Sequence, residues 1–249
     1  MRPTVAMHQP PQPELLAQAR TLAEYVQTLS VEQIATTMKL SNALADKTHA
    51  LLQAWNDEPE RQSVALDTFI GDIYSGLQPA LLDDADRAYA NEHLRILSGL
   101  YGVLRPLDGI SPYRLEMGYR LPNEPYANLY AYWGDAIART LPTNGPIINL
   151  AAVEYSKTVT PFIDTARVVT PKFLTVDPKT HEPTFVVVHA KIARGAFARW
   201  LIQNRVDDEA QLQSFNDIGY AYDAHLSTAA EPVFVCREFG GKGLSIRLT

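Results

Sequence analysis

The sequence predicts an α+β, or mixed α/β, fold: a single compact domain in which helices flank a central mixed sheet. Apolar residues recur at three- and four-residue spacing near the beginning of the chain, which is typical of amphipathic helices. Short runs rich in Val, Ile and Phe occur in the second half and favour strands there. We find no internal repeat and no linker in the 249 residues, and a domain of this length buries about three quarters of its unfolded surface.

The first residues differ in composition from the remainder. Residues 1–13 contain four prolines and no periodic pattern, so we predict a disordered or loosely docked arm. The single domain is then predicted to cover residues 14–249.

Helices are predicted from apolar periodicity and from capping signals. Ser30 stands three residues before Gln33, which is the spacing of a capping box at the start of a second helix. Ser41 is predicted to cap a third helix. The predicted helices begin at residue 14 and cover residues 31–38, 41–55, 83–99, 130–141 and 191–204.

Strands are predicted where short apolar runs are rich in β-branched residues. The strongest of these runs is Thr184–His189, with the sequence TFVVVH. Residues 101–125 are dense in Gly, Pro, Tyr and Arg, so they are predicted to form a shaped loop. The predicted strands cover residues 64–69, 147–150, 168–174, 184–189 and 232–237.

Charge is distributed unevenly along the chain. The formal net charge of −6 argues against an obligate nucleic-acid binder, because neutralisation of phosphates supplies most non-specific affinity. Residues 1–92 carry 6 Lys and Arg against 13 Asp and Glu, whereas residues 93–249 carry 16 against 15. A basic surface is therefore compatible with the second part of the chain.

Several motifs of enzymes and metal sites are absent from the sequence. It has no Gly-rich phosphate loop, no dinucleotide fingerprint, no His-Glu-x-x-His and no Gly-x-Ser-x-Gly elbow. Its six histidines are scattered, and the single cysteine, Cys236, lies in an apolar strand. We therefore predict no disulfide, no metal site and no cofactor. The chain also has no long apolar run, so we expect a cytoplasmic protein without a membrane partner.

One stretch combines glycines, arginines and tyrosines in an unusual way. Gly99 and Gly102 lie between two apolar runs, and glycines allow backbone amides to approach a bound anion closely. Arg105, Arg114 and Arg120 follow, interleaved with tyrosines whose faces can stack on bases. The alternative is a packing element in which these arginines pair with nearby acids.

Two further groups could contribute to binding or chemistry. Lys191, Arg194 and Arg199 carry three positive charges with no acid nearer than Asp207 on the C-terminal side. This group indicates either an anion-binding face or a solvated face of the predicted helix. Asp72 and Tyr74 lie in a turn bounded by glycines, where Asp72 is either a general base or a turn former.

These segments occur in the order found in one known family. The matching stretches are residues 40–45, 69–77, 93–108, 112–118, 132–135, 148–151, 154–155, 190–195, 204–205 and 215–220. Over roughly residues 15–237 the chain resembles the YaaA family of peroxide-stress proteins. It departs from that family at the N-terminus, which lacks the usual Ser-Pro-Ala-Lys-Thr-Leu segment, and at Ile192, where members usually have a second lysine.

The resemblance implies protection from peroxide, with lowered free iron and binding of duplex DNA. It implies a mixed α/β fold, a positively charged cleft and a helix-hairpin-helix-like element, which Gly99–Leu104 would fit best. The candidate DNA- or anion-binding residues are Gly99, Gly102, Arg105, Arg114, Arg120, Lys157, Lys191, Arg194 and Arg199.

An enzyme remains the alternative interpretation. It would hold a small phosphorylated or nucleotide-like substrate with the same cations, and it would transfer protons through Asp72, Tyr74 or Glu154. The expected partners are therefore duplex DNA or a small anionic ligand, bound by a monomer.

Overall fold

A computed structural model describes residue 1, residues 10–123 and residues 125–244. The α-helices are α1 (Leu16–Gln27), α2 (Val31–Met38), α3 (Asn42–Gln53), α4 (Ala65–Thr68), α5 (Asp72–Leu77), α6 (Asp84–His93), α7 (Leu129–Trp133), α8 (Ala136–Arg139), α9 (Val153–Ser156) and α10 (Val187–Gln203). The strands are β1 (Ser63–Val64), β2 (Ile96–Ser98), β3 (Gly102–Leu104), β4 (Gly109–Ile110), β5 (Ile147–Ile148), β6 (Val168–Val169), β7 (Lys172–Val176), β8 (Pro183–Thr184), β9 (Tyr220–Tyr222) and β10 (Val233–Cys236). This content of helices and small mixed sheets confirms the predicted α+β class.

The described residues pack into two compact units, each built from three segments of the chain. The first unit takes its residues from Met1–Phe69, Asn91–Pro142 and Ala151–Ile163. The second takes its residues from Ile70–Ala90, Thr143–Leu150 and Asp164–Thr249. No helix in the part of the chain that the structure describes has the length and apolar content needed to cross a membrane.

The first unit begins with three helices that follow the sequence prediction closely. Helix α1 buries its apolar stripe, with Ala19, Leu22 and Ala23 fully inaccessible. The capping box of α2 is confirmed: Gln33 N donates to Ser30 Oγ, and Ser30 N donates to Gln33 Oε1. Within the predicted arm, residues 2–9 lie outside the described residues. Beyond them, the carbonyl of Pro11 accepts a hydrogen bond from Gly109 N.

Two predictions for the first unit are wrong. The strand predicted over residues 64–69 ends at Val64 and continues as α4, because Ala65 and Leu66 donate their amides to the carbonyls of Asp108 and Pro106. The helix predicted over residues 83–99 ends at His93. Residues 96–98 instead pair antiparallel with residues 102–104 as β2 and β3.

The second unit is a sheet packed against one long helix. The strand order is β8-β7-β10-β9, in which β7 and β10 are parallel and the outer pairs are antiparallel. Its core is rich in aromatic rings, with Phe173 stacked on Phe234 at 5.4 Å between ring centroids. The predicted strand over residues 232–237 is confirmed as β10.

The strand predicted over Thr184–His189 is wrong, although it had the strongest pattern in the sequence. Strand β8 ends at Thr184, and α10 already begins at Val187. The helix buries Ala193 and Phe197 in the aromatic core, so tertiary packing overrides the β preference of three consecutive valines. The predicted helix over residues 191–204 therefore starts one turn earlier.

Helices α5 and α10 touch backbone to backbone through two glycines. A Cβ atom added to Gly76 would lie 1.9 Å from Ile192 O, and one added to Gly195 would lie 1.8 Å from Ile73 O. No side chain larger than hydrogen fits at either position. This contact fixes Asp72 and Tyr74 on the short helix beside the N-terminal half of α10.

Candidate functional site

Of the two predicted glycines, Gly99 lies in the turn between β2 and β3, and Gly102 is the first residue of β3. A Cβ atom on Gly99 would lie 2.3 Å from Leu115 O, and one on Gly102, whose φ is +70°, would lie 2.9 Å from the Trp133 ring. Both glycines are therefore required for close packing inside the protein. The helix-hairpin-helix-like element predicted at Gly99–Leu104 is wrong at this position, because these residues form a β-hairpin.

Arg105 follows this hairpin, and its side chain is exposed. Its backbone N donates to Oδ2 of the buried Asp108 at 2.7 Å. Burial raises the pKa of Asp108 to about 6, although that hydrogen bond and the positive charges of Arg105 and Arg95 act in the opposite direction. The carboxylate therefore orders the turn that carries Arg105.

We predict that Asp108→Asn reduces the pH dependence of stability. The folded-state pKa of about 6 lies above the ordinary aspartate value, so the folded protein binds this proton more tightly. The contribution of Asp108 to the unfolding free energy is therefore greatest below about pH 4 and falls by about 2–3 kcal/mol as the pH rises through about 6. Asparagine can still accept from Arg105 N without a buried charge.

Urea unfolding at pH 4.5 and pH 7 measures this difference, with the exposed Asp46→Asn as the control for loss of a carboxylate. An equal fall in stability between the two pH values for wild type and Asp108→Asn would contradict the assignment.

Arg114 lies in a polar cluster of the first unit. Its Nη2 is 3.9 Å from Glu116 Oε1, and its Nε is buried with no hydrogen-bond partner among the described residues. The Tyr119 hydroxyl interacts with both Arg114 and Glu116, and burial followed by the charge of Glu116 raises the pKa of Tyr119. The cluster therefore combines a guanidinium that lacks one acceptor with a carboxylate and a phenol.

Helix α9 holds the loop beside this cluster through two adjacent residues. Glu154 Oε1 accepts from Gly118 N at 2.7 Å, and the Tyr155 hydroxyl is hydrogen-bonded to the backbone of Met117. Burial, followed by the charges of Glu154 and Glu116, raises the pKa of Tyr155. Glu154, predicted as a proton-transfer candidate, therefore holds the loop as a hydrogen-bond acceptor in this structure.

Arg120 and Lys157 complete the predicted residues of the first unit. Both side chains are exposed, and neither forms an ion pair with any residue that the structure describes. Their charges are therefore available to an external anion.

In the second unit, Asp72 and Tyr74 lie in the first turn of α5. Gly71 precedes the helix with φ +133°, a conformation that an L side chain rarely adopts. The side chains of Asp72 and Tyr74 are both half-buried. The glycine-bounded turn predicted here is therefore a helix start.

The cations of α10 separate into two kinds. Lys191 and Arg194 are partly accessible and lie three residues apart, and neither side chain has a hydrogen bond or ion pair within the described residues. Burial lowers the pKa of the Arg194 guanidinium, and no acid offsets that effect. An anion would compensate for this desolvation.

Arg199 is used inside the second unit. Its Nη1 donates to Gly76 O at 2.9 Å and its Nη2 to Asp217 Oδ2 at 2.8 Å, and only 11% of its side chain is exposed. It joins α5 and α10 to the turn before β9. This contact gives Arg199 acceptors that Lys191 and Arg194 lack.

Sequence reasoning missed two features of the candidate site. Asp217, the partner of Arg199, lies 18 residues further along the chain, and its only local signal is the turn-forming Asn-Asp-Ile-Gly sequence. The second feature is the pair α2 and α3, joined by residues 39–41, with Lys39 in the left-handed conformation at φ 52°. The capping signals at Ser30 and Ser41 predicted each helix separately, but they did not predict that the two helices form a pair.

Metal-ligating side chains do not converge in the described ranges. Among residues 1, 10–123 and 125–244, no group of three or more His, Cys, Asp or Glu side chains is placed to hold a metal ion.

Comparison with known proteins identifies the family. The sequence profile of the family described as peroxide stress protein YaaA matches residues 2–226. A UPF0246 protein of Salinispora tropica is 63% identical over 235 residues, covering 94% of this chain and 89% of that protein. UPF0246 proteins of Roseobacter denitrificans (41% identical, 90% of each chain) and of a Marinomonas species (42% identical, 90% of this chain and 87% of that protein) are also similar. The chain therefore belongs to the peroxide stress protein YaaA family, whose curated relatives are UPF0246 proteins.

Proposed function

We propose that this peroxide-stress protein binds the phosphate backbone of duplex DNA through cations that have no acidic partner among the residues that the structure describes. The observation that carries the proposal is the pair Lys191 and Arg194 on α10. Arg194 is partly desolvated without a compensating anion, which is an unfavourable arrangement unless an external negative charge completes it. A DNA phosphate supplies that charge and accepts two N–H groups of a guanidinium at once.

The first unit, considered by itself, also carries exposed cations that can contact phosphates. Arg105, Arg120 and Lys157 are all exposed, whereas Arg114 faces Glu116. Contacts of this kind neutralise phosphates and release counterions, so affinity depends on a few local positive charges rather than on the net charge of the chain. Binding by this acidic protein is therefore expected to be sensitive to salt.

The pair α2 and α3 supports the same function. Two helices joined by a three-residue turn form a short helical hairpin, which a helix-hairpin-helix element requires, and Lys39 is exposed in that turn. We assign the element implied by the family resemblance to residues 31–53. Backbone amides at the start of α3 would then face a phosphate, since the Ser41 side chain does not cap them.

We predict that Lys191→Ala weakens binding of a fluorescent DNA duplex and lowers the salt dependence. Each lost phosphate contact should reduce the slope of log K against log salt by about 0.9. Arg194→Met should act in the same direction, because the Arg194 guanidinium also has no partner in the described part of the chain. Fluorescence anisotropy across a salt series measures both quantities.

Lys172→Ala is the matched control in the same unit. It also removes one lysine, but Lys172 Nζ is already 2.6 Å from Glu231 Oε2. We expect its affinity and salt slope to remain at the wild-type values. Equal losses in Lys191→Ala and Lys172→Ala would show only a non-specific charge effect, and absence of binding at low salt would refute the proposal.

The cluster around Arg114 favours a second candidate function in the first unit. Its buried Nε has no acceptor among the described residues, Glu116 and the Tyr119 phenol lie beside the guanidinium, and Tyr155 interacts with both of them, so the cluster offers a cation and proton donors to a small phosphorylated or nucleotide-like molecule. Calorimetric titration with a mononucleotide tests this function. Saturable binding that is lost in Arg114→Met would favour an enzyme over a DNA-binding protein.

A further inference from the structure

Two tyrosine rings of the first unit stack on each other, one from a helix and the other from a loop. The ring centroids of Tyr25 on α1 and Tyr126 in the loop before α7 are 4.2 Å apart, and their planes differ by 21°. At this separation, carbons of the two rings are in van der Waals contact. Both side chains are half-buried, so each retains access to solvent.

Backbone contacts hold the loop in this position. Asn123 N donates to the Tyr25 hydroxyl at 3.1 Å, and Tyr126 N donates to Asn123 O at 3.1 Å. The Tyr25 phenol therefore binds the turn that presents Tyr126, and the stacking does not depend on the ring contact alone.

A third tyrosine lies nearby in a less favourable geometry. Tyr132 is 5.5 Å from Tyr126 between centroids, with the planes tilted by 49°. Its hydroxyl donates to Gln18 O at 2.6 Å, and burial raises the pKa of this phenol to about 12. Tyr25 is thus the better placed partner of Tyr126.

We propose that Tyr25 and Tyr126 form an intramolecular dityrosine cross-link under one-electron oxidation, which makes this pair an oxidative modification site. The oxidant is a radical of the class that peroxide and ferrous iron generate. Each phenol gives one electron to one equivalent of oxidant and releases one proton, which leaves two phenoxyl radicals in contact. A carbon–carbon bond forms between one carbon of each ring that is ortho to the oxygen-bearing carbon. The hydrogen on each of these two carbons then leaves as a proton and is replaced by a proton on the oxygen of the same ring, which restores both phenols.

The product would join the loop before α7 to α1 covalently. A cross-link between positions so distant in the chain restricts the unfolded ensemble, so the modified protein should resist unfolding more than the unmodified protein. Exposure of the protein to oxidising radicals would therefore increase the stability of the first unit.

The test uses the full chain and a defined one-electron oxidant. Dilute protein is illuminated with tris(bipyridine)ruthenium(II) and persulfate, and the monomer fraction is digested and analysed by mass spectrometry. The expected product is a peptide pair joined through Tyr25 and Tyr126, accompanied by dityrosine fluorescence. The cross-linked monomer should also require a higher urea concentration for unfolding.

Conservative variants separate this site from general tyrosine oxidation. Tyr126→Phe keeps both rings and the contact between Asn123 N and the Tyr25 hydroxyl, whereas Tyr25→Phe also removes that contact; both variants should abolish the cross-linked peptide. Tyr222→Phe is the matched control, because Tyr222 is half-buried and packs on Phe234 at 5.9 Å, and it should leave the yield unchanged. A product joining Tyr126 to Tyr132, cross-links only between molecules, or an undiminished yield in Tyr126→Phe would each overturn the proposal.

Discussion

Replacing Gly195 by alanine is expected to lower the unfolding free energy by about 3 kcal/mol, the upper part of the range for overpacked interiors. The added Cβ would lie 1.8 Å from Ile73 O and 2.5 Å from Leu77 N, both of which are backbone atoms of α5. Backbone atoms cannot move aside by changing rotamer, so the two helices must separate. Without this clash, the same substitution in a helix would stabilise the protein by about 1 kcal/mol.

Urea unfolding of wild type, Gly195→Ala and Gly76→Ala checks this expectation. Both variants should lose stability by similar amounts, since each glycine faces the backbone of the opposite helix. Ser75→Ala is the control on α5, because it adds no atom and should change stability by no more than about 0.5 kcal/mol. A stability equal to or above wild type in Gly195→Ala would show that the helices are not in backbone contact.

Replacing Arg199 by methionine is expected to cost roughly 2 kcal/mol of stability. Removing one partner of a fully buried ion pair commonly lowers stability by more than this amount. Here 39% of the Asp217 side chain is exposed, so water can solvate the carboxylate that remains and the loss of stability is smaller. The change also leaves Gly76 O without its guanidinium donor. A double-mutant cycle with Asp217→Asn should show non-additive losses, because the two residues share one contact.

Arg194→Met is the matched control for this experiment. It makes the same change on the same helix, but Arg194 has no hydrogen bond or ion pair among the residues that the structure describes. Stability should therefore stay within about 0.5 kcal/mol of wild type or increase, while DNA affinity falls. Equal destabilisation by the two substitutions would contradict the distinction between a structural and a binding arginine.

The sequence predicted those elements whose signals are local. The capping box at Ser30 and the apolar stripe of α1 depend on residues within one helix, and both are present in the structure. Strand β10 was found in the same way, from a short apolar run. Patterns confined to a few neighbouring residues were therefore sufficient for these three elements.

Elements decided by distant contacts could not be predicted in this way. The valines at the start of α10 favour a strand, but Ala193 and Phe197 one and two turns later fit the core of the sheet only as a helix. The same limit applies to the candidate site. The role of Arg199 depends on Asp217, and that of Glu154 depends on Gly118, 36 residues earlier.

The alternation of the chain between its two units has a consequence for biosynthesis. Every segment of the first unit has left the ribosome once Ile163 is exposed, whereas the second unit still requires residues 164–249. The first unit can therefore complete its packing during translation, at a time when residues 70–90 and 143–150 still await their partners. A truncation after Ile163 therefore keeps every segment of the first unit, whereas no single cleavage separates the second unit, because residues 91–142 and 151–163 of the first unit interrupt its sequence.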